Sequence, residues 1–247
     1  MSDARVCAMM LIADRQAYGE RALKCFFQQT YQHKQVFMLD NGSTPFELPD
    51  WLLNERDFKL FRYVYKRRAP GEAVGLLRNL ACYMIGSSAD IIVHWDSDDW
   101  SAPERMACQV EDLIISGAEC TGYHNLLFWD RRNAQAWEYD YRRTTRALGT
   151  SLMYRYATWE RAHFHPSRES GEETEWFESK RVACTAVNGV APWPLLIAEV
   201  HGSNTSNAYK VFQNHQPAHQ PEWRRAPEFD AKVAELLGYS NKKGSPT

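Results

Sequence analysis

Asp96-Ser97-Asp98-Asp99 places three carboxylates within four residues. Held together they repel, and each raises the pKa of its neighbours. A hard divalent cation, Mg2+ or Mn2+, relieves that conflict, because it accepts carboxylate oxygens and keeps positions open for phosphate. The same residues also read as a solvated acidic turn, with Ser101 capping a following helix. The run in front of them, Ile91-Ile92-Val93-His94-Trp95, favours a metal or nucleotide site. It reads as a buried strand, and ligands of open parallel α/β sheets bind beyond the carboxyl ends of the strands.

Two more polar clusters follow apolar runs in the same way. Ala13-Asp14-Arg15 follows Val6 to Ile12, and Asp40-Asn41-Gly42-Ser43-Thr44 follows Val36 to Leu39. If these strands are parallel neighbours of the one before Asp96, all three clusters face one crevice. Asp40 there suits a base N–H or ribose hydroxyls, and equally an Asx turn. Gly171-Glu172-Glu173-Thr174-Glu175 is a second acidic cluster. A carboxylate in it can act as general base toward an alcohol, although taken alone the cluster reads as a charged helix start. His201 follows the apolar run Leu195 to Val200 and offers an imidazole ligand of the kind Mn2+ accepts.

The elements that must position these residues are legible as periodicities. Tyr18 to Gln29, Leu76 to Ile85 and Met106 to Ile114 carry apolar residues at helical spacing, and Leu60 to Tyr65 reads as a further strand. Ser101-Ala102-Pro103-Glu104 reads as a capping box. Strand and helix alternate through the first half, which predicts an α/β fold with a mostly parallel sheet covered on both faces. From about residue 118 the pattern changes to strand pieces and loops, an antiparallel extension on the same core. Asn214 to Ala226 reads as a polar tail or wrap, Glu228 to Leu237 as a helix stopped by Gly238, and residues 240–247 as disordered.

Composition narrows the partners. Lys and Arg total 29 against 31 Asp and Glu, a net charge of −2, so there is no strong nucleic-acid signal beyond the local Lys66-Arg67-Arg68 patch. No two of the six cysteines have CxxC spacing, and most lie in apolar surroundings, which points to reduced thiols and a cytoplasmic protein. The longest apolar run, Val6 to Ala13, is too short to span a membrane, and the N-terminus lacks the pattern of a signal peptide. Walker A, GxGxxG and HExxH sequences are all missing.

Taken in order, these motifs resemble the GT-A glycosyltransferases, and in particular inverting family 2. Gln29-Thr30-Tyr31 is similar to the family's Q-[ST]-Y, and Leu39-Asp40-Asn41-Gly42-Ser43-Thr44 to its V-D-D-G-S-T. Arg78-Asn79 is similar to A-R-N, Trp95-Asp96-Ser97-Asp98-Asp99 to L-D-x-D-D, and residues 171–175 to the G-E-D-x-[DE] base motif. Gly149-Thr150-Ser151 and the segment opened by His201 complete the series, which covers roughly residues 6 to 206. The chain departs from the family at Ala13, Asn41 and Glu173, where Pro, Asp and Asp are usual.

The resemblance implies a GT-A fold, a Rossmann-like sheet flanked by helices with a mixed C-terminal extension. It divides the chain into a glycosyltransferase domain over 1–210 and a tail with a short helix over 211–247. Residues 1–117 would bind the nucleotide-sugar and 118–210 would supply the acceptor side and the base. It implies metal-dependent inverting transfer from a nucleotide-diphosphate sugar, a UDP-sugar above all, to a hydroxyl on a glycan, lipid-linked sugar, protein or small molecule. Asp14, Arg15, Asp40, Arg78, Asp96 and Asp98 would bind the donor. Asp96, Asp98, Asp99 and His201 would hold Mg2+ or Mn2+, and Glu173 or Glu172 would be the base. The alternatives are a catalytically degenerate GT-A domain that only binds sugar nucleotide or glycan, and a nucleotidyltransferase.

Overall fold

The structure is a computed structural model that describes residues 3–53, 58–69, 71–140, 147–168, 174–178, 180–202 and 220–239. Its parallel half contains β1 (Val6–Ile12), β2 (Lys34–Asp40), β3 (Phe61–Tyr65) and β4 (Ile91–His94), in the order β3-β2-β1-β4. Three helices cover it: α1 (Gln16–Phe27), α2 (Val74–Ile85) and α3 (Arg105–Ser116). Successive residues of β1 face opposite sides. Val6, Ala8, Met10 and Ile12 pack with Leu23 and Phe26 of α1 and Met106 and Val110 of α3. Cys7 and Met9 pack with Leu77, Ala81 and Ile85 of α2. A strand covered on both faces favours apolar residues at nearly every position, which is why β1 reads as an unbroken run and β4 as one broken only by buried His94.

Beyond β4 the sheet becomes mixed. It continues through β5 (Trp100–Ser101), β6 (Cys120–Asp130), β7 (Gln135–Asp140), β8 (Met153–Arg155), β9 (Cys184–Asn188), β10 (Leu196–Val200) and β11 (Trp223–Arg225). β8 runs antiparallel between β4 and β6, and β7 pairs antiparallel with β6. β9 and β10 are parallel to β6, so the expected antiparallel extension is only partly antiparallel. Short helices α4 (Tyr156–Arg161), α5 (Thr174–Glu178) and α6 (Asp230–Leu236) complete the described elements. None of the described helices is long and apolar enough to cross a membrane.

Two local expectations change. The stretch read as a polar tail contains β11, an edge strand on β7. There Trp223 is buried against Phe128 and Tyr139, with ring centroids 4.9 and 4.8 Å away; one aromatic anchor outweighs the polar surroundings. The capping box does not form. Ser101 is held in β5 by pairing with Leu196, and its hydroxyl accepts from Arg105 Nη1 at 2.9 Å. The N-terminus of α3 is capped instead from the segment that follows α1: Gln29 Oε1 accepts the Met106 N–H at 2.9 Å, while Gln29 Nε2 donates to the Ala102 carbonyl at 2.6 Å. Thr30 N–H donates to the Pro103 carbonyl, so Gln29-Thr30 joins the two helices. Gly238, at φ +78°, ends the C-terminal helical turns as expected.

Gly122 of β6 lets the 149–151 turn lie against the sheet. A Cβ there would stand 2.5 Å from the Ala147 Cβ and 2.8 Å from the Ser151 Oγ. Gly122→Ala is therefore expected to cost about 1–3 kcal/mol through overpacking. Urea unfolding checks this, and an unchanged midpoint would contradict the packing described.

Candidate functional site

The β1–β2 register pairs Ile12 with Asp40, and the β1–β4 register pairs Met9 with His94. The carboxyl ends of these parallel strands therefore lie along one edge. The turns that leave them carry Asp14–Arg15, Asp40–Thr44 and Asp96–Asp99, and β10 delivers His201 to the same place. Asp98 is the meeting point. Its Oδ2 accepts from Arg15 Nη1 at 2.7 Å and lies 2.9 Å from His201 Nε2. Arg78, buried on α2, reaches Asp96 Oδ1 with Nη2 at 3.4 Å.

Each carboxylate has a distinct setting. Burial works against a charge on Asp98, but the His201 hydrogen bond and the Arg15 guanidinium outweigh it and hold that carboxyl below the usual range. Asp99 goes the other way, because burial and the neighbouring Asp98 and Asp96 push its carboxyl well above the usual range. It faces inward, accepting from the Thr150 hydroxyl and from the Glu199 N–H. Asp96 is the most open of the three, with 30% of its side chain exposed. Asp40 closes an Asx turn through the Gly42 N–H at 2.9 Å, and its other oxygen accepts from the Phe46 N–H and Tyr63 hydroxyl, both at 2.7 Å. Exposed Asp14 has φ +53°, a backbone conformation that strains a residue bearing a Cβ. Its Oδ1 accepts from the Ser43 N–H at 2.8 Å and hydroxyl at 2.7 Å, tying the first two strand-end turns together. Glu172 and Glu173 lie outside the described residues.

Several residues beneath this edge were not singled out from sequence. Arg21 donates through Nη2 to the Asp98 carbonyl at 2.6 Å and to Glu199 Oε2 at 2.7 Å. Tyr18, one helical turn earlier, stacks on the His201 ring at a centroid distance of 4.7 Å. Its hydroxyl donates to Glu199 Oε1 at 3.3 Å and accepts from Arg131. Tyr239 donates to the same Glu199 oxygen. Fully buried Arg105 donates to the His94 carbonyl at 2.9 Å and lies over the Trp95 ring at 5.0 Å. One signal was present: Glu199 is the lone charge in an apolar strand, and a buried carboxylate must find partners. Asn79, noted only within a motif, fastens the 159–164 segment through Phe164 and Trp159.

No family model matches the chain, and no curated protein matches it. Solved structures do. Mannosyltransferase PcManGT from Pyrobaculum calidifontis, in complex with GDP-Man and Mn2+, aligns at TM-score 0.60 and 16% identity, covering 96% of this chain and 71% of that one. S. aureus TarS 1-349 in complex with UDP-GlcNAc aligns at TM-score 0.58 and 11% identity, covering 95% and 72%. The chain spans 60% of TarS 1-349 in a further structure and 43% of the longer TarS chain. The fold is a GT-A glycosyltransferase fold.

Among the described residues no three His, Cys, Asp or Glu side chains are grouped to hold a metal ion. Asp98 Oδ2 and His201 Nε2, however, stand 2.9 Å apart. That is about the edge of an octahedron built on bonds of ~2.1 Å, and Mg2+ commonly takes only one or two protein carboxylates and completes its shell with substrate phosphate and water. The two residues fit such an ion as neighbouring ligands, with exposed Asp96 two residues away.

The raised carboxyl of Asp99 sets a sign. The folded chain binds that proton more tightly than the unfolded chain, so ionised Asp99 opposes folding at neutral pH, and the penalty fades as pH falls through its raised pKa. Asp99→Asn is expected to be more stable than the parent at neutral pH, with the gain disappearing on acidification. Urea unfolding in metal-free buffer across that pH range checks it; a variant less stable at neutral pH would contradict the assignment.

Proposed function

We propose that the chain transfers a sugar from a nucleotide-diphosphate donor, by preference a UDP-sugar, to an acceptor hydroxyl with inversion at the anomeric carbon. What carries the reading is the Asp98–His201–Arg15 node at the carboxyl edge of a GT-A sheet, the place where a charged diphosphate would need both cations and a divalent-ion ligand pair. The neighbours solved with UDP-GlcNAc and with GDP-Man support a nucleotide-sugar donor.

In this reading Asp14 and Asp40 border the base and ribose. The Asp40 carboxylate keeps the Asx turn in shape, and the Asp14 carboxylate holds Ser43 against it. Asp96, Asp98, Asp99 and His201 form the ion-holding turn. Asp98 and His201 offer the ligands, Asp96 stands beside them, and Asp99 supports the turn through Thr150. A bound Mg2+ or Mn2+ supplies Lewis-acid stabilisation of the charge on the departing diphosphate. Arg15 and Arg78 add fixed positive charge at the same edge, which favours the leaving group without a proton transfer. The acceptor proton goes to Glu173, or to Glu172, whose place is proposed from the sequence motif alone. Tyr18 keeps the His201 ring oriented by stacking on it.

The test is a donor panel of UDP- and GDP-sugars with released nucleotide as the readout, with and without a chelator. The parent chain is expected to turn over at least one donor in Mn2+ or Mg2+ and to lose that turnover in chelator. Asp98→Asn should weaken donor binding by about 100-fold or more, the factor that ~3 kcal/mol represents. Glu173→Gln should bind donor as the parent does and lose transfer. Donor binding without hydrolysis or transfer across the panel would favour the binding-only alternative, and normal transfer by Glu173→Gln would overturn the base assignment.

A further inference from the structure

Six cysteines are free, and two of them are direct partners on neighbouring strands. The parallel β6–β9 register sets Cys120 opposite Cys184. Adjacent strands lie about 4.8 Å apart, inside the roughly 4.4–6.8 Å span of Cα atoms that a disulfide bridges. Residues paired in register project from the same face of a sheet, so the two sulfurs meet. The two thiols shift each other's titration in opposite directions, and the Cys184 thiol donates to the Thr185 carbonyl at 3.5 Å. Their exposures differ. Cys120 is fully buried, whereas Cys184 is half-buried.

We propose that Cys120 and Cys184 form a thiol–disulfide modification site that reacts with low-molecular-weight disulfides. The Cys184 thiolate attacks one sulfur of the small disulfide. A mixed disulfide forms on Cys184 and the first small thiolate leaves. Cys120 then loses its proton to solvent or to that thiolate and attacks the Cys184 sulfur. The Cys120–Cys184 bond forms as the bond to the second small thiol breaks. Two protein thiols are oxidised and one small disulfide is reduced to two thiols.

The assignment of attacking and resolving sulfur follows from the lesser burial of Cys184 and from the opposite shifts of the two thiols. The neighbouring Cys120 thiol holds the Cys184 pKa below the ordinary value against the effect of burial. Cys120 is pushed the opposite way by its Cys184 neighbour and by burial. Cys108 is an internal control, since it is also half-buried, but burial and the acidic neighbours Asp112, Glu104 and Glu111 push its thiol up. The product would staple β9 to β6 and involves no residue of the proposed donor site.

The experiment uses the full, reduced, folded chain and oxidised glutathione at neutral pH, followed by peptide mapping without reduction. The first disulfide is expected to join Cys120 to Cys184, and Cys184 should react at least about tenfold faster than Cys108, as thiolate content dictates. Cys120→Ser should accumulate glutathione on Cys184. If that variant does not fold, the Cys184-to-Cys108 rate ratio in the parent chain still decides. Glutathione on Cys108 with Cys120 and Cys184 still reduced, or a first cross-link between other cysteines, would overturn the proposal.

Discussion

The constraint on which this structure turns is the burial of like charges in the Asp96–Asp99 turn. Asp98 and Asp99 are both 7% exposed, and ionised groups at such sites need compensating charge or hydrogen bonds. The compensation comes from every side. Arg15 and Arg21 reach the turn from α1 and its entry, and Arg78 from α2. Arg105 acts on Asp99 through space from α3. His201 comes from the end of β10 and Thr150 from the turn before β8. The helices on both faces and the mixed half of the sheet are thus fastened to one turn. That is why a fold assembled from distant segments presents a single charged edge.

A second layer stabilises this arrangement. Glu199, fully buried, accepts from Arg21, Tyr18 and Tyr239, so the residue just after α6 is tied to α1 and to the strand that carries His201. Arg21 bears a buried charge that desolvation disfavours, but Glu199 and Tyr239 more than offset the cost and raise its pKa. The stacked Tyr18–His201 pair then restrains the imidazole from a helix rather than from its own loop. Restraint of this kind keeps the imidazole in one geometry.

Much of this was legible in the sequence, for a physical reason. β1 was read with the bounds it has, because a strand buried on both faces leaves an unbroken apolar run. The three strand-end clusters were readable because each follows directly on an apolar run. What could not be read depends on contacts between distant segments. The cap on α3 comes from Gln29, more than seventy residues away in the chain, so the local pattern Ser101 to Glu104 suggested a box that β5 pairing forbids. Trp223 made a strand of a stretch that its prolines and polar residues described as a tail. Within the site, the sequence showed that Asp96, Asp98 and Asp99 are adjacent but not that they point differently. The direction of Asp99 toward Thr150 is set by the 149–151 turn, which only folding brings near.

The central claim is that Asp98 and His201 form the ion-binding pair against which a nucleotide diphosphate sits. Crystals of the full chain grown with UDP and Mn2+ test it most directly, read by the anomalous scattering of manganese. The account predicts one anomalous peak within bonding distance of Asp98 Oδ2 and His201 Nε2, bridged to the diphosphate. A manganese peak held elsewhere, or UDP bound at this edge with no manganese beside either residue, would contradict it.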